Sequence, residues 1–531
     1  MARQFNTAHV NRAEQHYTLP PLDRLPPTVE GLVHDGYYFV LHAPRQSGKT
    51  TTVLALADKL RADGRYAVVY CTVEAARATA CVDEVVDVVI DVVRLATARQ
   101  LSPAERPPAL PVADREPART RLYAYLAAWC TACPRPVVLF IDEIDCLQDE
   151  GLVSVLSQFR MGYAERPKGF PHSVCIFGMR DVRDYKIASG GQDRAASSSP
   201  FNVKRESITL ATFSRADVAA LYAQHTAETG QAFTAAAIDR VAELTGGQPH
   251  LVNALAHDVV AKQGWTGTVD VAQIDTAKDN LIVQWGTHFD SLMARLREDR
   301  VLRVLEPILA GSSIGGGDLE DDRYCRDLGL IDGPDGDIAN AIYREVIPRC
   351  LAGRWQHKLR VTSGRWRGDD GRLDIDGLRA AFLAFWREHA EGFVQAEGYR
   401  EVAVQLVFMG FLQRIVNGGG WVDREYAAGS RRMDILVRWP VPDDDGTVPR
   451  YPVRFERHLF ELKVWHPKKG DPRDEGLAQV GAYLRRVPCE SASLLIFDRR
   501  PETEAREWGD RMVVEEARPL VEGREVWVFR G

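Results

Sequence analysis

Apolar runs and helical repeats follow one another along this chain in an order that predicts two α/β regions. In "YYFVLHAPRQSGKTTTVLALADKL" (37–60) an unbroken apolar strand passes into a short polar loop, then into an amphipathic helix. "PRPVVLFIDEIDCL" (134–147) and "HSVCIFGMRDVRDYK" (172–186) are again apolar strands ending in polar residues. Continuous rather than alternating runs predict strands buried on both faces of a parallel sheet. Residues 213–262 read as helices. "FSRADVAALYAQHTAETG" opens on Ser214 as N-cap and closes at Gly230, and "TAAAIDRVAELTGG" stops on paired glycines. "QPHLVNALAHDVV" restarts with Pro249 in its first turn.

The pattern then changes. Residues 291–350 predict two short helices, then a strand, a "DGPDG" turn and a strand, which is a winged-helix-like arrangement. Acidic "GGGDLEDDR" beside it opposes a strongly basic recognition face, so packing or regulation is the expected role. "GRWQHKLRVTSGRWRGDDGRLD" (353–374) reads as a linker able to touch a nucleic-acid backbone. "GYREVAVQLVFMGFLQRIV" (398–416) predicts an amphipathic helix with Glu401 and Gln405 four apart on one face. "REYAAGSRRMDILVRW" (424–439) predicts a strand, a Gly-Ser turn and a strand carrying Asp434. "RHLFELKVW" (457–465) is a strand, "DEGLAQVGAYLRRV" (474–487) a helix and "ASLLIFDRR" (492–500) a further strand.

Composition narrows the class without setting a function. A chain of 531 residues is too long for one core and predicts about two to four domains. Hydrophobic residues at 45% and charged residues at 27% are those of an ordinary soluble protein. No apolar run approaches the ~20 residues that span a bilayer, and the first residues lack a secretory core. A cytoplasmic protein with no membrane partner is therefore expected. Nine cysteines, scattered in runs such as "VVYCTV", suit reduced thiols. Cys130 and Cys133 have CxxC spacing but no second pair, so helix packing is expected there rather than zinc. Net charge is −7, so any nucleic-acid contact must come from local basic patches.

The loop "APRQSGKT" (43–50) matches G-x-x-x-x-G-K-[ST] except for Ala43 at the first glycine, and it has the strand-loop-helix context that motif needs. Backbone N–H groups of Arg45, Gln46, Ser47 and Gly48 and of the helix start, including Thr51, can surround phosphate oxygens. Lys49 would reach the β- and γ-phosphates of ATP, and the Thr50 hydroxyl would hold Mg²⁺. Ala43 matters only if its position needs a positive φ. Asp142, at the carboxyl end of a buried strand, would join the Mg²⁺ shell, while Glu143 could orient or deprotonate the attacking water.

Glu461 and Lys463 pose a separate question. A strand turns alternate side chains to one face, so these two charges emerge together from an otherwise apolar strand. Burial of unpaired charge costs several kcal/mol, roughly, unless compensated. Asp434 and Glu461 can bind one hard divalent cation such as Mg²⁺, which polarises a phosphate and acidifies water. Lys463 can position that water or neutralise developing charge, and Glu401 could add a metal oxygen.

This second constellation resembles the PD-(D/E)XK nuclease superfamily, whose fold is that of restriction endonucleases. Asp434 matches the motif aspartate, Glu461-Leu462-Lys463 the E-x-K, and Gln479 with Tyr483 the following-helix Q-x-x-x-Y. The stretch between Asp434 and Glu461 is unusually long; it reads as a hairpin loop, tolerable because closure entropy grows slowly with length. The N-terminal part resembles AAA-like ATPases (AAA+ or STAND type) that bacteria fuse to such nucleases, on "HAPRQSGKTT", "RDVRDYK", "LTGGQPHLVNALA" and "IYREVIPR". That likeness implies a phosphate-sensing or subunit-bridging role for Arg180 and Arg183, a lid facing the nucleotide with Gln248 as helix cap or phosphate contact, and homo-oligomers formed through the ATPase domain.

The expected architecture is thus a P-loop NTPase core (1–210), a helical lid (211–290), a winged-helix-like domain (291–355), a linker (356–374) and a restriction-endonuclease-like α/β domain (375–531). The two resemblances imply an ATP-regulated, Mg²⁺-dependent nuclease acting on nucleic acid, DNA by preference, in bacterial defence against phage or plasmids. The alternative is an ATP-driven DNA-binding switch or scaffold with an inactive nuclease-like domain. A signalling ATPase whose C-terminal domain binds protein is a third reading.

Overall fold

The computed structural model describes residues 3–8, 10–77, 79, 81–108, 116–147, 149–178, 204–284, 292, 294–309, 318–334, 336–368 without 357–365, 370–396, 407–412, 420–425, 434–442, 454–465, 470–498, 500, 503 and 506–531. The chain forms two compact units, Met1–His288 with Asp318–Asp332, and Phe289–Gly317 with Gly333–Gly531.

The first unit is built on five parallel strands: β1 (Tyr38–His42), β2 (Ala67–Thr72), β3 (Val137–Asp142), β4 (Ser173–Gly178) and β5 (Lys204–Thr209), in the order β2-β3-β4-β1-β5. Their side chains alternate between two apolar layers. Phe39, Leu41, Val68, Phe140 and Phe177 pack against α1 (Thr28–His34) and α2 (Lys49–Asp63). Val40, Val69, Leu139 and Val174 pack against α3 (Val82–Gln100), α4 (Ala118–Ala132) and α5 (Asp149–Met161). Both faces are covered, which is why β1 to β4 read as largely apolar runs. Cys130 lies buried in α4 and Cys133 caps its end, both packed in this core.

After β5 the chain is helical: α6 (Arg215–Thr229), α7 (Ala235–Thr245), α8 (Pro249–His257) and α9 (Val271–Gln284). The stops and starts fall where the sequence places them. Ser214 accepts from Asp217 N, Gly230 is left-handed at φ 78°, and Gly246 and Gly247 stand at φ 56° and 73°. Gly247 is obligatory, because a Cβ there would lie 1.8 Å from the Phe213 carbonyl oxygen. Phe5 and Tyr17 of the N-terminal segment enter an aromatic cluster with Tyr222, His225 and Phe233, so this segment is anchored on the helical layer.

The expected second strand of the wing is mostly helix. Short strands β6 (Ile331–Asp332) and β7 (Asp337–Ile338) flank the turn, but Ala341–Gln356 is helical. The Asn340 side chain accepts from Tyr343 N at 2.8 Å, and this cap starts the helix that "AIYREVIPR" continues.

In the second unit, β8 (Trp421–Glu425), β9 (Asp434–Pro440), β10 (Phe455–Trp465), β11 (Ser491–Asp498), β12 (Val513–Val514), β13 (Leu520–Val521) and β14 (Arg524–Arg530) form a mixed sheet in the order β12-β14-β11-β10-β9-β8, with β13 on β14. β9 pairs antiparallel with both β8 and β10, whereas β10, β11 and β14 are mutually parallel. A parallel pair needs a crossover, and helix Arg473–Leu484 supplies it between β10 and β11. Gly476 lets that helix close on the sheet, since a Cβ there would meet Leu494 Cδ1 at 2.6 Å. The opposite face is covered by helix Ile375–Ala396 through Phe382, Phe385 and Trp386. The expected helix at 398–416 is described only over 407–412, where it is helical.

Candidate functional site

The phosphate-loop sequence sits between β1 and α2, at the carboxyl end of the parallel sheet. Its left-handed positions are Gln46 at φ 57° and Gly48 at φ 85°; Ala43 is not among them, so its departure from glycine costs the backbone nothing. Lys49 is buried, and its ammonium donates to Ala43 O at 2.5 Å and Pro44 O at 3.1 Å. Burial pushes its pKa below the usual lysine value, opposed by Asp145, Asp142 and Glu143. Ser47 is buried, and Thr51 Oγ1 accepts from Asn11 N at 3.3 Å, which brings the N-terminal segment to the start of α2. A cavity of about 530 Å³ lies within the N-terminal segment, lined by Phe5, Asn6, Arg12, Gln15, His16 and His257 among others.

The acidic end of β3 faces this loop. Thr50 Oγ1 donates to Asp142 Oδ2 at 3.0 Å, so the hydroxyl and carboxylate proposed for one cation are already neighbours. Asp142 Oδ2 also accepts from Tyr70 OH at 2.8 Å, and Oδ1 accepts from Glu143 N at 2.8 Å. Glu143 has left-handed backbone, φ 58°, and its carboxylate lies 3.4 Å from the Arg77 guanidinium. Such a conformation in a non-glycine residue is strained and is common at active sites.

Arg24 and the segment Asp318–Asp332 were not signalled by sequence as parts of this site. Arg24 closes a short helical turn, Pro21–Arg24, and donates to Ser47 O at 2.6 Å and to Ala211 O at 2.9 Å while lying over the Phe213 ring. Burial pushes its pKa down to about 10. Gln248 does two jobs: its Oε1 caps α8 by accepting from Leu251 N at 2.7 Å, and its Nε2 donates to Arg45 O at 3.4 Å. The segment Asp318–Asp332 also meets the loop, with Asp327 3.5 Å from His42 Nδ1 and Gly329 packed on Pro44. Arg180 and Arg183 lie outside the described residues.

In the second unit Glu461 is wholly buried, and neither carboxylate oxygen has a hydrogen-bond partner among the described residues. Lys463 Nζ is 3.4 Å from Glu461 Oε1, so both charges do emerge on one face. The β9–β10 register sets Asp434 directly opposite Glu461. The Asp434 side chain and all of Glu401 lie outside the described residues. Gln479, on helix Arg473–Leu484, is buried and donates to Glu475 Oε1 at 3.0 Å, while its own Oε1 has no hydrogen-bond partner among the described residues. Glu475 also accepts from Lys463 at 3.1 Å. Glu475 was legible in principle, four residues before Gln479 on the same helix face.

Do these residues fit a cation? Among the described residues no group of three or more His, Cys, Asp or Glu side chains gathers as a metal cluster. The oxygens of Glu461 are nonetheless hard donors that, among the described residues, have no counter-ion beyond Lys463, which suits Mg²⁺. No helix among the described residues is long and apolar enough to cross a membrane.

Neither a protein-family model nor a curated protein matches the chain. Among solved structures it is similar to a Walker-type ATPase of Pyrococcus abyssi, at 14% identity over 65% of this chain and 99% of that one, with a TM-score of 0.45. It is also similar to Cdc6p from Pyrobaculum aerophilum, at 13% identity over 72% and 96% of the two chains, TM-score 0.36. The Thermotoga maritima RuvB Holliday junction branch migration motor gives 13% identity over 63% and 92%, TM-score 0.31. These likenesses are coarse. What identifies a P-loop nucleotide-binding core is the parallel sheet with the GKT loop between β1 and α2 and an acidic β3 terminus facing it.

Proposed function

We propose that the chain is an ATP-regulated, Mg²⁺-dependent nuclease that cleaves phosphodiester bonds in DNA, acting as a homo-oligomer in the bacterial cytosol. The observation that carries the nuclease reading is Glu461: a fully buried carboxylate whose two oxygens have no hydrogen-bond partner among the described residues, beside a lysine and across a ladder from Asp434. A structural ion pair would be expected to satisfy those oxygens with hydrogen bonds. Defence against phage or plasmids is the setting that the resemblance implies.

In the first site, Arg45, Gln46, Ser47 and Gly48 offer backbone N–H groups to the phosphates, and Lys49 exchanges its bonds to Ala43 and Pro44 for the β- and γ-phosphates. Glu143 orients or deprotonates the attacking water, and Arg77 holds that carboxylate between turnovers. In the second site, Lys463 neutralises charge developing on the scissile phosphate, and Gln479 orients the group that Glu461 receives. Mg²⁺ held by Thr50 with Asp142, and by Asp434, Glu461 and Glu401, would screen phosphate charge and acidify water at each site. Gating has a physical route besides Arg180 and Arg183: the segment Asp318–Asp332 touches His42 and Pro44 of the loop and continues at both ends into the second unit.

One observation favours the alternative, a nucleotide-driven DNA-binding switch with an inactive nuclease-like domain. Glu475 engages both Lys463 and Gln479, as a purely structural network would. Incubation with plasmid, linear DNA and RNA plus Mg²⁺, with ATP or ADP, separates the readings. Cleavage that needs ATP and is lost in Asp434→Ala and Lys49→Ala is the expected result. Equal cleavage with ATP, with ADP and in Lys49→Ala removes the gating; DNA retention at low salt without cleavage establishes the switch.

A further inference from the structure

We propose that Tyr70 is a positioning residue for Asp142, and that Gln100 holds Tyr70 in place by standing in for a neighbouring strand. The proposal rests on the nucleotide reading of the phosphate loop. β2 is the last strand at its end of the described sheet, so the outer side of β2 has no strand to pair with there. At Tyr70 the Gln100 side-chain amide fills that place: its Oε1 accepts from Tyr70 N at 2.9 Å, and its Nε2 donates to Tyr70 O at 2.7 Å. A single amide thus copies both halves of a ladder pair.

The consequence appears one strand away. Tyr70 pairs with Phe140, two residues before Asp142, and its hydroxyl reaches Asp142 Oδ2 at 2.8 Å. A phenol donating to a carboxylate makes a strong, charge-assisted bond. It matters here because the terminal torsion of an aspartate is soft, so one donor does not fix the carboxylate plane. Thr50 and Tyr70 on Oδ2, with Glu143 N on Oδ1, do fix it.

The brace closes on itself. Arg61 donates to Gln100 Oε1, and Arg61 stands in the last turn of α2, whose first turn carries Thr50. Both ends of one helix are therefore tied to the same carboxylate, one directly and one through Gln100 and Tyr70. None of Arg61, Gln100 or Tyr70 needs to touch nucleotide for this to set the geometry at which Asp142 and Thr50 meet a cation. Outer partners of this kind alter metal affinity or activity by about 10- to 100-fold when removed.

Tyr70→Phe keeps the ring and removes only the hydroxyl. The test measures Mn²⁺ binding by electron paramagnetic resonance in the presence of a non-hydrolysable ATP analogue, on the full chain. The dissociation constant for Mn²⁺ is expected to rise about 10- to 100-fold, while metal-free binding of the analogue and the melting temperature hold. Gln100→Met should shift it the same way, and the double variant should be no worse than Tyr70→Phe, because both act through one bond. Unchanged Mn²⁺ affinity in Tyr70→Phe, with or without a lower melting temperature, would show a structural role only. Absence of any Mn²⁺–analogue binding by the unaltered chain would overturn the nucleotide reading and this proposal together.

Discussion

Lys49, which is buried, and Lys463, which is half-buried, both stand beside carboxylates, one in each unit, and their surroundings are opposites. Around Lys49 the chain supplies every partner: two loop carbonyls take the ammonium, and Asp142 receives Thr50, Tyr70 and the Glu143 amide. Around Lys463 it does not, because Glu461 is sealed from water with both oxygens lacking a donor among the described residues. The phosphate loop holds its shape through its own bonds, so nucleotide replaces contacts that already exist. The β9–β10 pair instead stores an electrostatic cost that an arriving cation would relieve, a common trade of stability for function.

The contrast breaks or sharpens under substitution. Lys463→Met should destabilise the second unit by about 3–5 kcal/mol in chemical denaturation, since it leaves Glu461 buried with no counter-charge. The same change at Lys49 should cost roughly 1 kcal/mol, because only carbonyls lose a donor. Equal losses at the two sites would abolish the distinction. Glu461→Gln should stabilise the metal-free chain by about 1–3 kcal/mol and erase any thermal shift on adding Mg²⁺ that traces to this site. If that variant is less stable than the parent, the carboxylate is structurally satisfied and the cation site is lost as an idea.

A pH effect concerns the helical layer after β5. Burial pushes His250, in the first turn of α8, down to about 4 from an ordinary 6.5. The unfolded chain takes up this proton below about pH 6.5 and the folded chain only near pH 4, so stability falls as pH drops through that window. Melting followed between pH 7 and pH 4.5 should show the decline, with a shallower slope in His250→Leu. Identical slopes would mean that other groups carry the acid sensitivity.

How far the sequence was legible follows the same division. The GKT loop, Asp142 and Glu143 at a strand end, Ser214, Gly230 and the Gly246–Gly247 stop could all be read, because each acts through neighbours a few residues away. The charge pair on β10 could be read too, from the period of two along a strand. The wing was misjudged where the Asn340 cap turned an expected strand into helix, and β14 went unread although it lies beside β11. Arg24, Tyr70 and Gln100 carried no local signal strong enough to single them out, and Glu475 carried only its spacing of four before Gln479.

The amino-acid order alone determined which residues are candidates for chemistry: a lysine and threonine opening a helix, paired acids closing a strand, and an acid and a lysine sharing one strand face. Tertiary structure decided which of them meet. Strand order brought Tyr70 beside Asp142, the edge position of β2 made room for Gln100, and antiparallel register put Asp434 across from Glu461. The reason is range: backbone dihedrals and side-chain period act over a few residues, whereas register and layer packing join positions far apart in the chain, and only the folded sheet sets which ones.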